Sequence, residues 1–158
     1  MAGTTTGNGF PYGFVAVLAV AALLYFVVAL NVVGARQSDA AGNGLTAALA
    51  IVSALLLWVA LAVLLLLARQ AIPGWAMACL VVLMPLAAIA VTAAIGIHGD
   101  KGGWLAVVPL LLPVTVVLYA GWARFASLQA LAPADIASGL VVAVLALGTA
   151  APFVGAYV

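Results

Sequence analysis

The chain has 158 residues, of which 70% are hydrophobic and 4% charged, and its formal net charge is +1 at pH 7. A soluble domain is about 45–50% apolar and about 25% charged, so four basic and three acidic side chains cannot cover a soluble globule of this size. Disorder is excluded as well, because disordered chains are poor in apolar residues, and what is left is an integral membrane protein.

The charged residues divide the chain. Arg36, Asp39, Arg69, Asp100, Lys101, Arg124 and Asp135 bound long uncharged runs, and a hydrocarbon core takes about 20 residues of helix to cross. Five spans are expected, over residues 10–34, 44–68, 73–97, 104–123 and 133–157, within one domain covering residues 1–158. The runs are continuous and rich in Ala and Leu, which are good helix formers. They lack the alternation of the roughly 10-residue strands of a membrane barrel, the other structure that satisfies its backbone in lipid. The expected fold is an all-α integral membrane protein, a compact bundle of five transmembrane helices with short loops.

Before the first span, MAGTTTGNGFPYG carries no basic side chain, and the apolar run that follows is longer than the 7–15 residues of a signal-peptide core. The span is therefore read as retained. Asn31, one turn from its end, is a candidate for an interhelical contact, since a carboxamide is harder to satisfy within its own helix than a hydroxyl. The connection ARQSDAAGNG is the longest expected loop, and the second span, with ALLLWVALAVLLLLA, is bulky around its circumference and suits lipid contact. Pro73 fits the first turn of the third span, Trp75 fits an interface, and Pro85 falls mid-span.

His98, Asp100 and Lys101 follow in HGDKGG, where glycines permit a tight reversal. The fourth span carries PLLLP, with Pro109, Pro113 and, just after, Thr115. Each proline removes a backbone hydrogen bond and tends to kink its helix. The fifth span starts at LAPAD, with Asp135 well placed for the helix dipole. Gly139 and Ala143, four residues apart, form a candidate helix–helix contact.

These residues support little chemistry. General acid–base catalysis needs titratable groups placed together, and only His98, Asp100 and Lys101 are neighbours, so no enzyme is expected. No metal site is expected either, because one His and one Cys are too few ligands. His98 is read first as a solvated loop residue. Its functional reading is an axial haem ligand or a quinone contact, and with a single His the haem would be shared with a partner. No cofactor is expected from this chain alone.

The middle of each span lacks the ionisable groups that usually mark ion paths and proton relays. Four basic residues split between two sides give no nucleic-acid footprint. The preferred reading is an accessory, anchoring or scaffold subunit of a larger membrane protein complex, whose partners are the lipid bilayer and other membrane subunits. The alternative is a small oligomeric transporter or channel for an uncharged substrate, with its path near Pro85, Pro109, Pro113 and Thr115. Ala/Val/Leu richness suggests a bacterial inner membrane. The amino-terminal amine tips an otherwise even count of basic residues towards a cytoplasmic amino terminus.

Overall fold

The computed structural model describes residues 11–35, 40–97 and 108–155, and every regular element among them is helical. Five helices run Tyr12–Ala35 (α1), Ala40–Ala68 (α2), Gly74–Ile97 (α3), Val108–Arg124 (α4) and Ala134–Gly155 (α6), with α5 a single turn at Ala126–Gln129. A tight 3-10 turn, Arg69–Ala71, links α2 to α3. Helix α2 takes in Ala40–Gly44, so the connection before it is shorter than the polarity of AAGNG implies.

Four stretches are long and apolar enough to cross a membrane: Tyr12–Asn31, Ala48–Ala71, Gly74–Thr92 and Ala134–Ala151. In α4 the apolar stretch is shorter, Leu110–Arg124. The 17 residues of α4 reach about 25 Å at 1.5 Å per residue, against a hydrocarbon core of about 30 Å. Four helices among the described residues, rather than five, therefore meet the length for a membrane span by themselves.

Three contacts fix the directions of the helices. Near the start of α1, Phe14 meets Phe125, just past α4, edge to face at 5.8 Å between ring centroids. At the start of α3, the Trp75 indole donates to Asp135 Oδ1, at the start of α6, over 3.4 Å. The end of α2 shares a cleft with the end of α4 and with α5. The starts of α1, α3 and α6 thus lie at one end of the bundle with the ends of α2 and α4, and successive helices run antiparallel, as short connections favour.

Helix α2 is central, packed against α1, α3 and α4, whereas α6 covers α3 and α4. Of its membrane-crossing window 44% is buried, against 17% for α1 at the edge. The bulk of α2, expected to face lipid, instead builds much of the core through Leu57, Trp58, Leu61, Leu64 and Leu65, while Leu55, Leu56, Val59, Leu66 and Leu67 stay exposed. Lipid tails are as apolar as Leu, so bulk alone does not distinguish the two faces.

The buried side of α6 carries Ser138, Val141, Leu145 and Gly148. A Cβ added at Gly148 would overlap the side chain of Leu112, whereas one at Gly139 would meet nothing. Ala143 is exposed. The close approach of α6 to α4 therefore runs through Gly148 and not through the expected Gly139 and Ala143.

Candidate functional site

Polar side chains within the helices are mostly spent on internal bonds. Thr92, Thr115 and Thr149 return their hydroxyls to carbonyls of their own helices, Ile89, Leu111 and Ala146, over 2.9, 3.1 and 2.8 Å. Asn31 does likewise, its Nδ2 donating to the Val27 carbonyl over 2.8 Å. One N–H of its carboxamide is thus satisfied within α1.

Besides the Trp75–Asp135 bond at one end of the bundle, two bonds among the described residues join the long helices inside it. The Tyr25 hydroxyl donates to the Leu110 carbonyl over 3.0 Å, tying α1 to α4. Tyr119 and the fully buried Ser138 share a hydroxyl–hydroxyl bond of 2.6 Å between α4 and α6. The Tyr119 ring stacks on Trp122 one turn along, 5.6 Å between centroids and 6° between planes, the neighbour relation of helix positions three apart. Among the described residues, the buried indole N–H groups of Trp58 and Trp122 find no hydrogen-bond partner.

The prolines separate. Pro85 lies within α3, exposed, and lines a groove between α2 and α3. Pro113 is buried in α4 and lines a cavity of about 170 Å³ with Tyr25, Leu57 and Val117. Pro109 lies at the start of α4 among the described residues. Pro85 and Pro113, two residues of the expected path, border different cavities. His98, Asp100, Lys101, Arg36 and Asp39 lie outside the described residues.

Polar atoms concentrate instead at the end of the bundle where α2 and α4 finish. A cleft of about 440 Å³ is lined there by Gln70, Arg124 and Gln129 together with Ala68, Ala71 and Ala123. Its position follows from helix termination. The last carbonyls of α2 and α4 lack intrahelical partners, and Gln129 Nε2 supplies one by donating to the Ala123 carbonyl over 2.9 Å. Arg124 lies in the last turn of α4, where a cation complements the negative helix terminus.

The cleft offers one guanidinium, carboxamides and carbonyls, a set suited to hydrogen bonding at a membrane interface. Among the described residues, no three of His, Cys, Asp and Glu come together to hold a metal ion. Nothing in the sequence pairs Gln70 with Gln129; the signal that could have found them is their position just beyond two apolar runs that end at one side. No known family model, curated protein or solved structure matches this chain.

Proposed function

We propose that this protein is a non-catalytic accessory or anchoring subunit of a larger membrane protein complex. It would cross a bacterial inner membrane five times, with its amino terminus in the cytoplasm. The observation that carries this reading is the use of the polar groups. Inside the bundle the bonded hydroxyls and the Asn31 carboxamide are spent on one another or on helix carbonyls, the buried Trp58 and Trp122 indoles being exceptions. The polar cleft of Gln70, Arg124 and Gln129 opens at one end. A subunit that supplies helix surface and an interfacial contact needs no more than this.

The fifth crossing is α4. Its end sits beside the end of α2, two helices earlier, and this supports a reading in which α3 and α4 cross in opposite directions. In sequence, the apolar residues 104–107 precede it.

Gentle extraction of the protein from its native membrane, followed by native mass spectrometry, tests the reading. An assembly containing unlike chains at fixed stoichiometry is the expected result. A monomer or a pure homo-oligomer overturns it.

A further inference from the structure

Between α2 and α3 runs a lateral groove of about 450 Å³. From α2 it is lined by Leu55, Trp58, Val59, Ala62, Leu65 and Leu66, and α3 supplies a matching face from Met77 to Ala88. The α2 residues recur at helix spacings of three and four, so they form one stripe. Small side chains at Ala62 and Ala88 open the groove, and Met77 and Met84 give it adaptable, polarizable walls.

Its dimensions select the occupant. Eleven residues of rise, from Leu55 to Leu66, make the groove about 17 Å long. A volume of about 450 Å³ open to the centres of water-sized spheres over that length is about 5 Å wide. A water radius of about 1.4 Å on each side makes the groove about 8 Å wide, less than the roughly 10–12 Å of a helix with side chains. It admits a hydrocarbon chain at carbon contact distances of about 4 Å, whereas a helix could rest only on the rims.

The stripe continues into a charge. Arg69, the first residue of the 3-10 turn after α2, follows Leu65 and Leu66 by four and three residues, and its side chain is exposed. At this end of the bundle, Arg69 and Arg124 outnumber Asp135, the single acid among the described residues, which already accepts from Trp75. The groove thus runs from a basic interface towards the middle of the bilayer.

We infer that the α2–α3 groove is a binding site for one phospholipid with an acidic headgroup. One acyl chain lies between Trp58, Ala62 and Met84, and the phosphate lies at Arg69. The inference needs only a membrane location and does not depend on the accessory-subunit reading.

The test is native mass spectrometry of the detergent-purified full chain, offered equal amounts of phosphatidylglycerol and phosphatidylcholine with identical acyl chains. Wild type is expected to retain one lipid, with about a fivefold preference for phosphatidylglycerol, the scale of one basic residue near a membrane surface. Ala62→Phe, which fills the groove, abolishes retention of both lipids. Ala88→Leu does the same from the α3 side should the first variant fail to fold. Arg69→Gln keeps a bound lipid and loses the preference, whereas Arg124→Gln, at the other cleft, changes neither. The inference is overturned if wild type retains no lipid, or if folded Ala62→Phe and Ala88→Leu retain it as wild type does. It is also overturned if filling the groove dissociates a second protein chain while the lipid count stays unchanged.

Discussion

The Tyr119 hydroxyl and Ser138 Oγ lie 2.6 Å apart inside the bundle and join α4 to α6. The two partners differ in what remains to them if the bond is broken. A serine hydroxyl can turn back to a carbonyl one turn earlier in its own helix, but the Tyr119 hydroxyl stands at the end of a ring and has no such recourse.

Ser138→Ala is therefore expected to destabilise the protein by about 1–2 kcal/mol, because it strands a buried donor. Tyr119→Phe should cost less. Unfolding of both variants and the double variant in detergent gives the coupling energy, expected at about 0.6 kcal/mol and not above about 1.7 kcal/mol, the average and the maximum for bonds between membrane helices. Equal losses in the two single variants would show that Ser138 has no fallback.

Gly148 and Gly139 form a controlled comparison on one helix. An added methyl at 148 overlaps Leu112, itself fully buried, while the same methyl at 139 enters open space. Gly148→Ala should cost about 1–3 kcal/mol by overpacking. Gly139→Ala should be neutral or slightly stabilising, since Ala is the better helix former. The decisive measurement is Gly148→Ala in a Leu112→Ala background, where the penalty should largely vanish. A penalty that persists would place the strain somewhere other than Leu112.

How much of this was legible in the sequence follows from what each feature depends on. The helices were legible because Arg69, Arg124 and Asp135 punctuate apolar runs near helix ends. That signal depends only on the local cost of charge in lipid. The inward face of α2 was not legible, because leucines occur on both of its sides and hydrocarbon treats them alike. The Gly148–Leu112 approach and the Tyr119–Ser138 bond depend on how α4 and α6 pack, which no local pattern encodes in a chain so rich in Ala, Gly and Leu. Gln70 and Gln129 needed the antiparallel arrangement before they could be read as one cleft.

The edge-to-face contact of Phe14 with Phe125 anchors the peripheral helix α1 at the end where α4 finishes. In a bilayer, truncating either ring does not expose a cavity to water, so the loss is mainly one of packing. A double-mutant cycle with Phe14→Ala and Phe125→Ala is expected to give a coupling of about 0.5–1.5 kcal/mol, the usual range for aromatic pairs. The same variants should increase hydrogen exchange in α1 while leaving α3 and α6 protected, because α1 packs chiefly on α2. Uniform loss of protection would mean that α1 is not a separable edge.

Helix α4 decides the topology, and its crossing can be tested directly. Cys79 is the protein's single cysteine, so a C79S background is free of thiols. Single cysteines introduced as R69C, S127C and D135C then report which side of the membrane each position faces. Arg69 follows α2, Ser127 lies beyond α4, and Asp135 opens α6. The Trp75–Asp135 bond and the shared cleft put all three at one end. In sealed vesicles of uniform orientation, an impermeant maleimide should label all three from the same side. Labelling of R69C and S127C from opposite sides would mean that α4 does not cross, reducing the spans to the four that are long enough by themselves. Such a result would also separate Arg69 from Arg124 and remove the positive end of the bundle.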